Sequence, residues 1–230
     1  MAAGADILDV GGESARPGAL PVSPAEEIRR VEPVVRALAG QGAVVSIDTR
    51  HAQVMEAALG AGARIINDIS ALSGDSDSLA VAARLGAPVV LMHMQGEPRT
   101  MQDNPSYVLA SLDIADYLAS RLAACAAAGI PRERIVADPG IGFGKRAGDN
   151  LEILGRLGLF HALGCGVMLG VSRKSLIGRI GGNLPPTQRM PGSLAAGLFG
   201  VAQGVQILRV HDVAETRQAI ATWQAMVVGI

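Results

Sequence analysis

Seven short runs rich in Val, Ile and Leu recur along the chain, each closing on polar residues or glycine and each followed by a helix-like stretch. They are Ile7 to Val10, Val44 to Asp48, Arg64 to Ile69, Pro88 to Met94, Arg134 to Asp138, Val167 to Ser172 and Val205 to His211. Near-continuous apolarity, in place of alternation, is what parallel strands covered on both faces require. The stretches between them carry helix signals. Ser23 precedes Pro24 and stands three residues before Glu26, the spacing of a capping box, and Ile28, Val31, Val35 and Leu38 then form one apolar stripe that stops at Gly40. Gly60 and Gly62, Gly86, Gly129 and Gly204 fall where a helix must stop before the next run.

Strand and helix alternating without a break give either an open doubly wound sheet or a closed eightfold barrel. No Gly-x-Gly-x-x-Gly follows the first run, and the polar residues gather at the carboxyl ends of nearly every run, where a barrel assembles one site from many loops. The expected fold is therefore α/β, a (β/α)8 barrel with seven of its eight strands in this chain. The opening residues read as a helix end running straight into a strand, so one strand-helix unit is expected to be missing from the amino end. No linker divides residues 1–230, which are expected to form one domain.

Composition narrows the partners. The 230 residues are 49% hydrophobic, enough for one sizeable core. Lys plus Arg number 20 against 21 Asp plus Glu, which leaves no global field to gather nucleic acid or an anionic membrane, so any anion site must be local. Aromatics at 3% argue against stacking platforms for single strands. Cys125 and Cys165 are too few for a disulfide framework or a cysteine zinc site and read as buried, reduced thiols. No segment has the length and apolarity of a membrane span, no secretory signal opens the chain, and the expected compartment is the cytoplasm.

The chemistry sits at the ends of the runs. The first opens into Gly11-Gly12-Glu13-Ser14-Ala15-Arg16-Pro17-Gly18, a loop presenting a cation and a hydroxyl. The second ends in Asp48, the third in Asn67-Asp68 and the fifth in Asp138-Pro139-Gly140-Ile141-Gly142-Phe143-Gly144-Lys145. One acid at a strand end is commonly a helix cap or turn group. Two carboxylates and an amide converging on one rim suit instead a heterocycle with several N–H donors, because ionised Asp only accepts hydrogen bonds while Asn does both. The later runs supply positive charge. Lys174 follows the sixth, and Arg209 and His211, alternate residues of the seventh, share a strand face, so together they can hold a diphosphate. His93 ends the fourth run with no second His or Cys near it and reads as a hydrogen-bonded rim histidine, while His51 and His161, in or beside helices, carry no evident chemistry. Serine-hydrolase elbows, Walker loops and His-Glu-x-x-His helices are all missing.

In this order the motifs resemble the dihydropteroate synthase family: Asp-Val-Gly-Gly-Glu-Ser, Ser-Ile-Asp-Thr, Asn-Asp-Ile, Leu-Met-His-Met-Gln-Gly, Asp-Pro-Gly-x-Gly-Phe-Gly-Lys, Ser-Arg-Lys-Ser and Arg-Val-His-Asp, spread from about Ala3 to about Val227. The resemblance implies a barrel enzyme of folate biosynthesis, a target of sulfonamides, that joins a dihydropterin diphosphate to p-aminobenzoate with Mg²⁺ as cofactor, and a homodimer that binds neither nucleic acid nor membrane. It implies that Asp48, Asn67 and Asp138 hold the pterin ring with Lys174 beside them, and that Arg209, Val210 and His211 meet the diphosphate side. Lys174, Arg209 and His211 would assist its departure. Ala15 belongs to the same substrate surface, where the family usually has Thr. Arg16, Pro17, Phe143 and Ser175 match residues of the p-aminobenzoate subsite. The family begins with a strand and a loop whose Asn serves the magnesium-diphosphate site, and these, with most of the first helix, have no counterpart here, so no metal ligand is expected in this chain. The rival readings are a methyltetrahydrofolate-dependent methyltransferase and a truncated barrel that binds pterin without turnover.

Overall fold

The computed structural model describes residues 2–229. It contains the seven strands read from the sequence, β1 shifted by one residue from its run and the other six shorter than theirs: β1 (Leu8–Gly11), β2 (Val45–Asp48), β3 (Ile65–Asp68), β4 (Val89–Met92), β5 (Ile135–Asp138), β6 (Gly166–Leu169) and β7 (Ile207–Leu208). All pairings are parallel and follow chain order from β1 to β7, so every connection is a crossover and the sheet curls in one direction. Helices α1 (Pro24–Gly40), α2 (Ala52–Gly60), α3 (Ser78–Leu85), α4 (Ala110–Ala127), α5 (Ala147–Gly155), α6 (Ser175–Ile180), α7 (Met190–Ala202) and α8 (Val213–Val228) make the outer layer.

Burial explains the apolar runs. Every residue of β4 is buried, as are Val45, Ser46 and Ile47 of β2 and Val167 to Leu169 of β6. Such strands have no solvent face, hence no alternation. The outer strands are different: β1 and β7 are only half-buried. Among the described residues these two share no backbone pairing, and the seven strands form a curled part-barrel. Phe160, in the short helical turn Leu157–Leu163, is fully buried and belongs to the core that joins α4 and α5 to β5 and β6.

Two local expectations need correction. The Ser23 side chain does accept from the Glu26 amide at 3.3 Å, but the Glu26 carboxylate turns outward to Arg29 and Arg30 at 2.7 Å each. The reciprocal half of the capping box is absent because two flanking guanidinium groups outcompete one backbone N–H for the carboxylate. Cys125 is buried as expected, but Cys165 is only half-buried, in the turn that joins the short helix Leu157–Leu163 to β6.

Candidate active site

Register places the polar strand ends side by side. Gly11 pairs with Asp48 and Asp48 with Asn67, while Asp138 pairs with Met92 further along the rim. The Asn67 amide reaches over β2 and donates from Nδ2 to Asp9 Oδ2 at 3.1 Å. From the end of β7, Arg209 donates through Nε to Asp9 Oδ2 at 2.6 Å and through Nη2 to Asp48 Oδ2 at 2.9 Å. Its guanidinium therefore spans the interval between the outer strands that backbone bonding does not bridge. Gly170 lies between the β5 and β7 ends: a Cβ there would stand 3.9 Å from Asp138 Oδ2 and 4.0 Å from Arg209 Cβ.

Burial crowds these charges and shifts their protonation. Desolvation pushes the Asp48 carboxyl up to about 7; the Asp9 charge adds to this and Arg209 opposes it. Asp138 is raised for the same first reason, with the Gly140 N–H, Lys174 and Lys145 pulling it back. Desolvation lowers Lys174 to about 8, against the attraction of Asp138 and Asp48. Its ammonium sits 4.0 Å over the centre of the Phe143 ring, so two residues that the resemblance would place on different sides of the site are in direct contact. A rim that sets desolvated carboxyls beside Lys174, which makes no ion pair among the described residues, is complementary to a ligand that is donor-rich at one end and anionic at the other.

The remaining site residues lie further round. His211, exposed, shares Ser172 Oγ through Nδ1 at 3.0 Å and through its backbone N–H at 3.2 Å. Arg209 and His211 thus make different contacts, one on carboxylates and one on a hydroxyl. Val210, between them, is half-buried. Ser175, exposed, begins α6 directly after Lys174. The loop bearing Ala15, Arg16 and Pro17 leans over β2 and β3, tied by the Gly18 N–H to Pro98 O at 3.0 Å, and Ser14, Ala15, Asp48, Thr49 and Ile69 line a narrow cleft beneath it.

Three groups carry roles that the sequence reading did not assign. Asp9 was hidden inside an apolar run, although strand alternation from Gly11 places both on one face. Its Oδ1 is buried without a partner among the described residues. Glu27, inside α1, is fully buried and accepts from or shares a proton with His51 Nδ1 at 2.8 Å; Glu13 beside it accepts from Arg50 at 3.1 and 3.3 Å. Ligand atoms of Glu13, Glu27 and His51 lie within 4.8 Å of one another; Arg50 pairs with Glu13 and His51 with one oxygen of Glu27, while Glu27 Oε1 is buried without a partner among the described residues. So His51, given no chemistry above, is a structural partner of a buried acid. The third is Lys145, 3% exposed, whose ammonium lies 2.9 Å from His93 Nδ1.

His93 is the rim histidine expected, and it is neutral. Burial first and the Lys145 charge second lower it to about 3. In the unfolded chain the ring titrates near 6.5, so its contribution to stability is complete above that pH and is lost as pH falls from 6.5 towards about 3. Urea unfolding across that range should show a shallower acid loss in His93→Gln than in the wild type; parallel curves would refute the assignment.

A parallel strand array with desolvated carboxyls and cations gathered at its carboxyl tips defines an α/β barrel-type enzyme acting on an anionic heterocycle. The family model described as pterin binding enzyme matches residues 1–211. The dihydropteroate synthase of Escherichia coli strain K12 is 46% identical over 224 residues, covering 97% of this chain and 79% of that protein. A Yersinia pestis dihydropteroate synthase structure with a sulfonamide drug complex superposes with a TM-score of 0.95 at 44% identity, covering 98% of this chain and 82% of that one. The Xanthomonas albilineans enzyme with 4-aminobenzoic acid gives 0.93 at 45% identity, covering 98% and 80%. The chain belongs to the pterin-binding enzyme family, among the dihydropteroate synthases, which are transferases of folate biosynthesis.

Proposed function

We propose that this chain condenses 6-hydroxymethyl-7,8-dihydropterin diphosphate with p-aminobenzoate to give 7,8-dihydropteroate and diphosphate. The observation that carries the reading is the convergence of Asp48, Asn67 and Arg209, with Asp138 and Lys174 facing them, on one set of strand tips. In the reaction the C–O bond at the exocyclic methylene breaks and diphosphate leaves with the electron pair. The dihydropterin ring spreads the positive charge left on carbon, the amine lone pair forms the new C–N bond, and the amine proton goes to solvent. Asp48, Asn67 and Asp138 hold and orient the ring. Lys174, Arg209 and His211 offset the charge of the departing diphosphate, which is electrostatic catalysis by groups already in place. An aryl amine is a nucleophile at neutral pH, so no activated base is needed, in keeping with a rim that has no triad geometry. Arg16, Pro17, Phe143 and Ser175 would line the amine side, with Ala15 and Val210 contributing surface to the pterin diphosphate.

Mg²⁺ belongs to this reading as an ion carried by the diphosphate. The groups that the chain directs to that end, Lys174, Arg209 and the His211 imidazole, are not the oxygen set magnesium requires, and no step here is routed through it. No helix among the described residues is long and apolar enough to cross a membrane, and the cytoplasm is the compartment we assign. A homodimer is favoured by exposed apolar side chains on the last two helices, Phe199 and Met226 to Val228.

Incubating the chain with the pterin diphosphate, Mg²⁺ and labelled p-aminobenzoate should yield labelled dihydropteroate; binding of the pterin without product would overturn the reading in favour of a non-catalytic barrel. Arg209→Lys keeps one charge but loses the fork that spans Asp9 and Asp48, and should lower kcat/KM by about tenfold. Steady-state kinetics would check this; an unchanged kcat/KM contradicts it.

A further inference from the structure

We propose that Lys145 is a positioning residue that fixes Phe143, and through it the aryl-amine side of the site, by stapling the β5–α5 loop to the end of β4; this rests on the functional reading above. The loop turns through left-handed backbone at Gly140, Gly142 and Gly144, with φ of +69°, +83° and +60°. Such a path makes no strand or helix ladder, so side chains must hold it. The Gly140 N–H donates to Asp138 Oδ1 at 2.7 Å and the Gly142 N–H to Asn150 Oδ1 at 2.6 Å. Gln102 Nε2 donates to Gly142 O at 2.8 Å, and Tyr107 OH to Gly144 O at 2.6 Å. The carbonyl between those two, Phe143 O, is held by Lys145 Nζ at 2.9 Å.

The same ammonium also reaches His93 O at 3.1 Å and His93 Nδ1 at 2.9 Å. In its protonated form the amine offers three N–H donors to three acceptors, two on β4's end and one on the loop; sealed from solvent at 3% exposure, it is lowered by desolvation to about 7, against the attraction of Asp138. His93 is itself fixed: its ring meets Tyr117 edge-on, centroids 4.9 Å apart. A neutral His93 accepting at Nδ1 carries its proton on Nε2. Phe143, so anchored, presents its ring under Lys174 Nζ. Lys145 touches neither substrate; it acts by setting where that ring stands.

Hydrogen exchange on the unliganded full chain tests the staple directly. In Lys145→Met, protection of the Gly140, Gly142 and Phe143 amides should fall at least tenfold while β2 and β3 keep theirs. In turnover, KM for p-aminobenzoate should rise about tenfold, while the pterin Kd by calorimetry should rise clearly less, since Lys145 reaches that ligand only indirectly, through its pull on Asp138 and the Gly140 N–H. Lys145→Gln, which keeps two N–H donors without the charge, should lie between wild type and Met, and decides the matter if the Met variant does not fold. Unchanged loop protection, protection lost evenly across the chain, or equal losses for the two substrates would each overturn the proposal. If the wild type makes no dihydropteroate the functional reading fails, and the exchange comparison still decides whether Lys145 holds the loop.

Discussion

Asp138→Ala should lower the affinity of the pterin diphosphate by about a thousandfold. The carboxyl is buried at the end of β5, with Oδ1 accepting from the Gly140 N–H at 2.7 Å. Burial makes its charge costly, so a ligand that brings N–H donors to it recovers interaction the empty site lacks. Hydrogen bonds to a charged group are worth about 1.5–3 kcal/mol each, and two of them amount to some 3–6 kcal/mol, spanning two to four decades in Kd. Asp138→Asn separates ligand from loop, since an amide oxygen can still accept from Gly140 but brings no charge; it should lose pterin affinity while keeping most of the stability. Calorimetric titration of all three proteins measures this. Binding by the Ala variant within threefold of wild type would remove Asp138 from the pterin site.

Gly140→Ala should damage folding more than function. Its φ of +69° costs an L side chain roughly 1–2 kcal/mol, and an added Cβ would lie 2.0 Å from the backbone oxygen of His93. Backbone cannot yield as the end of a flexible side chain can, and overpacking adds about 1–3 kcal/mol. A combined loss near 4 kcal/mol corresponds to a fall in Tm of roughly 8–16 °C for a chain of this size. Urea or thermal unfolding checks it. A Tm within about 2 °C of wild type would mean that the β4 end and the β5–α5 loop are not in the close contact described.

These two neighbours show how much the sequence disclosed. Asp138 was visible because it ends an apolar run, and the series of such endings, Asp48, Asn67, Asp138 and then Lys174, Arg209 and His211, already indicated a heterocycle with an anionic tail. All seven strands were found in the right places, since strands buried on both faces must be apolar throughout. Strand ends were overestimated, most of all in β7, where hydrogen bonding covers only Ile207–Leu208 of a run drawn to His211, because apolar patterning reports burial and not ladder pairing. Asp9 escaped notice because it interrupts an apolar run rather than ending one, and its partners Asn67 and Arg209 are 58 and 200 residues away. Glu27 stands in the first turn of α1, where acids are common, and only the fold shows it buried against His51.

Periodicity and strand-end chemistry are local properties of the chain, and they were sufficient for the parallel α/β order, the end of the sheet that works, and the polarity of what binds there. Which carboxyl meets which cation depends on curl and register between strands remote in sequence. Only the assembled structure could put Arg209 across Asp9 and Asp48, set Lys174 on the Phe143 ring, and enclose the Lys145 ammonium among three acceptors. The physical reason is that a hydrogen bond depends on position to within a few tenths of an ångström, whereas the apolar pattern requires only that a side chain leave water.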